Sequence, residues 1–249
     1  LDADFTELDL GFGPARNLKQ ALQTFSPRPP WFERLSGRLE MTETGGTVRV
    51  ASATSAVGLP GIFAEPRIPL NKLDADVAWT IDPVLSAPDR ASDESDPGLS
   101  GLTVRINRLR LENTDATADI AGVWRGAGKS RRGSIDLQAS VKRAKIARVY
   151  RYVPTELPPD VRRWLRTALQ GGIADEIRFT LQGDLADFPF RKPRPGQFLI
   201  EASIRDGQLK YLPDFPPVTD WQGSFRLERA GLQARARSGR IFNSMISDL

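Results

Sequence analysis

Three groups of residues in this chain have the types and local spacing to do chemistry. Gly126-Ala127-Gly128-Lys129-Ser130 reads like the closing half of a phosphate-binding loop. Its required first glycine falls on Val123, however, and the text after it alternates like a strand, so no helix N-terminus is there to cradle a phosphate. Carboxylates cluster at Asp74/Asp76, at Asp93/Glu94/Asp96 and at Asp184/Asp187. Asp74 and Asp76 share one face of an alternating segment, where solvation is the simplest account. The 93–96 group lacks the alternating ligands and closing glutamate of a calcium loop. Asp184 and Asp187 are the pair an envelope hydrolase would use, if the chain were one. Finally, Arg148, Tyr150, Arg151, Tyr152, Arg163 and Trp164 mix cations with aromatic rings, as single-strand nucleic-acid binders do. Trp164 falls on an apolar helical stripe, which reads as packing, and no nucleic-acid motif accompanies the mixture.

Composition narrows the chemistry further. The 249 residues include no cysteine and no histidine. That excludes thiol nucleophiles, imidazole bases, Ser-His-Asp triads, disulfides and Cys/His metal sites. The expectation is a non-enzyme with no cofactor, no metal site and no nucleic-acid partner. Lysines and arginines number 35 against 31 acids, a net charge of +4. The cations are concentrated, with eleven against three acids between Lys129 and Arg166. Such a run suits an anionic partner, although a solvated face explains it equally.

The elements that must position these residues are mostly strands. Apolar residues recur at every second position in Leu35–Met41, Leu73–Ile81, Leu102–Ile106, Ile135–Val141, Ile177–Leu181, Phe198–Ile204, Trp221–Leu227 and Leu232–Ala236. Parity slips between Ile106 and Leu109, which predicts a bulge near Asn107. Asp206-Gly207 predicts a hairpin turn returning through Leu209 and Tyr211. One segment has helical spacing: Val161, Trp164, Leu165, Ala168 and Leu169 follow Pro158-Pro159 and precede Gly171-Gly172. Shorter helical turns are expected at Ile146–Tyr150 and around Leu18–Phe25. The polar, acidic stretch 86–100 reads as an exposed loop, and 144–170 as a helical insertion in one elongated segment, 1–249. An apolar-polar-Gly-polar-apolar string recurs at Leu35–Leu39, Leu181–Leu185 and Trp221–Phe225, as if strands were added along one direction.

No stretch is apolar for the roughly 20 residues a membrane-spanning helix needs. The longest uncharged run, Val50–Ala64, has 15 residues and is broken by Pro60-Gly61. With neither an initiator methionine nor a signal peptide, the chain reads as an internal piece of a longer protein.

An ordered series of strings carries a resemblance. Tyr150-Arg151-Tyr152-Val153-Pro154 is followed by Trp164-Leu165, Gly171-Gly172-Ile173 and Leu181-Gln182-Gly183-Asp184-Leu185-Ala186-Asp187-Phe188-Pro189-Phe190. Gly196-Gln197-Phe198, Asp206-Gly207-Gln208-Leu209 and Tyr211-Leu212-Pro213 come next. Upstream, Leu35-Ser36-Gly37, Trp79 and Leu111-Glu112-Asn113-Thr114-Asp115-Ala116 also fit. The series resembles the central region of the YhdP family, in the AsmA-like/TamB group of Gram-negative envelope proteins. One departure is Phe215-Pro216 where the family's usual Trp-Pro stands.

The resemblance implies a long, strongly curved antiparallel sheet forming an open hydrophobic groove, mainly β with a few short helices. It implies a periplasmic bridge segment that shields phospholipid acyl chains between inner and outer membrane, held at the inner membrane by an anchor outside this segment. Other envelope proteins are possible partners. The physics suits that role. Each acyl methylene costs about 0.8 kcal/mol in water, so a bare phospholipid costs on the order of 20 kcal/mol to carry across. Strands of six or seven residues span roughly 20 Å, about one acyl chain. By parity, the lipid-binding wall would comprise Val104, Ile106, Ile135, Leu137, Ile177, Phe179, Leu181, Phe198, Ile200 and Phe225. Alternation alone is served as well by a β-sandwich with a filled core, working as a scaffolding or binding module.

Overall fold

In the computed structural model the residues described are 1–11, 30–83, 101–126, 132–155, 157–190, 195–229, 231–242 and 244–247. The expected helical turn around Leu18–Phe25 and the loop 86–100 lie outside them, as does most of the Gly126–Ser130 string.

The strands are β1 (Asp2–Leu10), β2 (Trp31–Thr42), β3 (Gly45–Gly58), β4 (Ile68–Ile81), β5 (Leu102–Glu112), β6 (Thr117–Arg125), β7 (Ser134–Lys145), β8 (Leu169–Asp184), β9 (Gly196–Leu209), β10 (Val218–Glu228), β11 (Gly231–Ile241) and β12 (Ser244–Ser247). Each pairs antiparallel with its sequence neighbours, in the order β1 to β12, so all belong to one sheet. The sheet is curled and does not close into a barrel. The sandwich alternative is therefore overturned: among the described residues every strand belongs to this one sheet and no second sheet covers it. A meander of this kind puts each strand beside its neighbours in sequence, because each new strand finds its partner in the one just made.

The predicted bulge forms. β5 shifts register against β6 between Ile106 and Leu109, and against β4 at Asp76/Val77, which returns Leu109 and Leu111 to the face of Val104 and Ile106. Near the opposite ends of the strands a second line of irregularities crosses the sheet. Glu7, Arg34, Thr54, Arg143, Asp206 and Asp220 all have positive φ there. Bulges bend their strand and increase its twist, so this line curls one long edge of the sheet.

Two expectations need correction. Asp206-Gly207 is not a hairpin turn. β9 runs unbroken through it to Leu209, and Asp206 is one of the left-handed bulge residues, with φ 52°. The Asp-Gly chemistry that permits a tight turn permits a bulge just as well. Gly171-Gly172 is not a helix stop either. The helix α1 (Pro159–Ala168) ends before it, and β8 starts at Leu169.

The tightly buried core is local. Leu35, Val50, Val57, Ile68, Leu70, Leu73 and Ala75 form it on β2–β4, with Phe63 and Tyr152 packed against it from outside the sheet. Those two rings belong to a strap. After β7 the chain forms a 3₁₀ helix, Ile146–Tyr152, and then reaches the link between β3 and β4. There Phe63 bridges Pro154, the Thr155 amide donates to the Ile62 carbonyl at 2.9 Å, and Thr155 Oγ1 donates to the Gly61 carbonyl at 2.6 Å. Phe63 and Tyr152 meet edge-on, with centroids 6.4 Å apart. The strap thus ties the β3–β4 link to the β7–β8 link, four strand positions away, and α1 returns the chain to the sheet.

Candidate functional site

Register pairing decides which side chains share a face, because directly opposed residues in an antiparallel ladder point the same way. Following the pairs from strand to strand gives an unbroken row: Phe5, Gly37, Val50, Ala75, Leu109, Ile120, Ala139, Phe179, Ile200, Leu227 and Leu232. It crosses β1 to β11 without one polar side chain. At about 4.8 Å per strand, the row is about 48 Å long.

Three parallel rows flank it. One runs Ala3, Leu39, Val48, Val77, Ile106, Gly122, Leu137, Leu181 and Phe198. A second runs Leu73, Leu111, Ala118, Val141, Ile177, Ala202, Phe225 and Ala234. The outermost runs Met41, Gly46, Trp79, Val104, Trp124, Ile135, Gly183 and Gly196. Rows repeat every second residue, so four of them span about 20 Å along the strands. The ten residues expected from parity to line a wall, Val104 to Phe225, all fall in these rows. Each is half-buried, neither sealed in a core nor fully exposed.

Parity missed as much of this face as it found. Ile120, Gly122 and Trp124 lie on β6, which was not predicted as a strand, because Ala121 and Val123 put apolar side chains on the other parity and blur the alternation. Leu109 and Leu227 were legible as strand residues, but their place in the continuous row depends on pairing that only the fold supplies.

Aromatic rings shape both ends of the face. Phe188 and Phe190 leave β8 just after the 3₁₀ turn Leu185–Asp187 and fold back over it. Phe190 is 1 % exposed and covers Gly183 and Gly196, where a Cβ atom would lie 2.8 and 2.3 Å from its ring. Phe188 stacks edge-on against Phe198 at 5.1 Å, and Phe198 against Phe179 at 5.9 Å. Trp79 lies likewise over Gly46, and Phe5 over Gly37. At these sites a glycine on one strand makes room for a ring from its neighbour.

The opposite face is a ladder of charges. Its central row reads Asp74, Arg110, Asp119, Ser140, Arg178, Glu201 and Arg226. Ion pairs knit it, among them Arg108–Asp74 at 2.8 Å, Arg110–Asp119 at 3.5 Å, and Arg226 with Glu201. Exposed pairs of this kind contribute about 0–1 kcal/mol each. A concavity of about 380 Å³ opens on this face, lined by Glu176, Arg178, Glu201, Arg226 and Arg235 among others. The two faces therefore differ completely in what they can hold.

Several of the residues with chemical potential have structural roles. Asp74 and Asp76 lie on the charged face, Asp76 accepting from Asn107 Nδ2 at 2.9 Å. Asp184 accepts from the Ala186 amide at 2.9 Å and so caps the turn beneath Phe188. Asp93, Glu94 and Asp96 lie outside the described residues. Among the described residues no three acids stand together as a metal site would need. Tyr152 and Arg151 hold the strap. Buried Asp115 accepts from Arg151 Nη1 at 2.6 Å and from Tyr152 Oη at 2.9 Å, while Asn113 Nδ2 donates to Tyr152 Oη at 2.8 Å. Burial pushes the Tyr152 phenol up to about 12, and its bond to Asp115 adds to the shift. Trp164 is not packed in a core: it is 43 % exposed, its Nε1 donating to the Tyr211 carbonyl at 3.2 Å. No described helix is long and apolar enough to cross a membrane.

A family model described as YhdP protein matches residues 15–249. No curated protein and no solved structure matches the chain.

Proposed function

The chain belongs to the YhdP family, a non-enzymatic family of the Gram-negative cell envelope associated with lipid transport, and from that premise we propose that its apolar face is a track for phospholipid acyl chains. The observation that carries the reading is the eleven-strand row from Phe5 to Leu232. A filled core needs apolar residues only where another layer covers them. Here the rows run on beyond the local core at β2–β4: their side chains are half-buried from β5 to β10, Leu232 on β11 is 61 % exposed, and among the described residues no second sheet lies above. Hydrocarbon is the partner that gains most there, at about 25 cal/mol for each Å² taken from water.

The track makes no chemical demand on the lipid. It holds tails by non-directional contact, so a tail can move from strand to strand without breaking a directed bond, and the headgroup stays at the wet margin. In this reading the segment lies in the periplasm between inner and outer membrane, with its inner-membrane anchor elsewhere in the longer protein.

The test is a photo-crosslinking amino acid placed in cells at Phe179 or Ile200, on the central row, and at Thr180 or Glu201, on the charged face. Lipid captured at the first pair and not at the second supports the track. Equal capture at all four, or none at Phe179 and Ile200, overturns it.

A further inference from the structure

The edge of the sheet that carries α1 gathers exposed apolar side chains from two neighbouring elements. Val161 and Trp164 of α1 are 37 and 43 % exposed, and Leu212 and Phe215 of the neighbouring β9–β10 link are 48 and 53 % exposed. The two elements are fixed together, for Trp164 Nε1 bonds the Tyr211 carbonyl and the Lys210 amide donates to the Ala168 carbonyl at 2.9 Å; within the link the Tyr211 and Phe215 rings lie 5.7 Å apart. This is one patch on two elements, not scattered surface residues.

The cations of the same elements are Arg162, Arg163, Arg166 and Lys210, and the acids are Asp160 and Asp214. None of the four cations has an ion-pair partner among the described residues, whereas most arginines of the charged face do; Arg166 instead lies over the Tyr150 ring at 5.4 Å. An indole, a phenyl ring and aliphatic side chains beside unpaired guanidinium groups are what a bilayer interface selects. The rings settle at headgroup depth, and the cations meet lipid phosphates.

We propose that α1 and the β9–β10 link form a docking surface for an anionic phospholipid bilayer. An acidic protein would satisfy the arginines, but it would leave Trp164, Leu212 and Phe215 no hydrocarbon to enter. The proposal rests on the reading of the apolar face as a lipid track, since docking would bring that track to the membrane it serves.

The experiment is co-sedimentation of the chain with vesicles of phosphatidylglycerol and phosphatidylethanolamine, against vesicles of phosphatidylcholine alone. Binding is expected to the anionic vesicles and to fall steeply as salt is raised. Arg163→Gln with Arg166→Gln is expected to weaken it about thirtyfold, at about fivefold per surface cation. Leu212→Ser with Phe215→Ser, at exposed positions where thermal unfolding is expected to stay unchanged, is expected to weaken binding to the anionic vesicles as well. No vesicle binding, equal binding to both compositions at every salt, or binding to polyglutamate that the serine variant leaves unchanged would overturn the docking surface. Lipid capture at Ile200 is read in parallel on the same variants. If it persists while docking fails, only the docking proposal falls; if it too is absent, the track is what failed.

Discussion

The ring of Phe188 meets that of Phe198 edge-on at 5.1 Å, although one belongs to a link and the other to β9. Behind Phe188, Phe190 is sealed against Gly183 and Gly196. The two phenylalanines of one Phe-Pro-Phe string thus have different duties. Phe190→Ala is expected to destabilise the chain by about 3–5 kcal/mol, since it empties a fully buried site. Phe188, 40 % exposed, is expected to cost about 1 kcal/mol or less as alanine, while reducing lipid capture at Phe198. Thermal unfolding of the two variants separates these outcomes, and equal losses of stability would contradict the assignment.

The glycine-ring pairing makes a second prediction. A Cβ atom at Gly37 would lie 2.0 Å from the Arg49 carbonyl oxygen and 2.9 Å from Phe5 Cζ. The oxygen belongs to backbone and cannot swing aside. Gly37→Ala is therefore expected to destabilise by about 1–3 kcal/mol through overpacking, measured by urea unfolding. Phe5→Ala in the same background is expected to recover little, because the backbone clash remains.

How much of this was legible before the fold was known depends on what each feature rests on. Strand faces follow from local alternation, so Leu137, Phe179 and Ile200 fall where parity puts them. Even the β5 bulge left a trace, in the slip from Ile106 to Leu109. β6 left none, because Ala121 and Val123 fill its wet parity with small apolar residues. Asp206-Gly207 misled because one backbone conformation serves both a turn and a bulge. The strap was illegible for another reason: Arg151, Tyr152 and Asp115 meet across 36 and 37 residues of sequence, and no local pattern encodes that encounter.

That encounter sets a pH dependence. The Tyr152 phenol titrates at about 12 in the folded chain against an ordinary value of 10. A group whose folded pKa is raised contributes stability that is complete below its unfolded pKa and is lost as pH climbs through the folded one. Stability is therefore expected to fall between pH 10 and 12 on this account, by no more than about 2 kcal/mol because the phenol is partly reached by solvent. In Tyr152→Phe that part of the loss should vanish, as chemical unfolding across the window would show. Asp115→Asn is expected to be worse at pH 7 than Tyr152→Phe, by about 2–3 kcal/mol, because it leaves the Arg151 guanidinium without its closest carboxylate.

The continuous row allows the strictest prediction, because a track can be cut at one point. Ala139 stands at its middle, opposite Ile120 on one side and Phe179 on the other. Its face is half-buried, so Ala139→Arg can turn its charge toward water and the sheet can still form, at an expected cost of about 1–2 kcal/mol. A hydrocarbon tail crossing that point would have to strip water from the guanidinium, a penalty of several kcal/mol for an unpaired ion. Lipid capture is therefore expected to persist on the side of the cut where tails enter and to fall at least tenfold on the other, read by crosslinkers at the half-buried Leu109 and Ile200. Gln138→Arg, one residue away on the charged face, is expected to leave both signals unchanged. If Ala139→Arg folds and both sites still capture lipid as before, tails do not travel along this row.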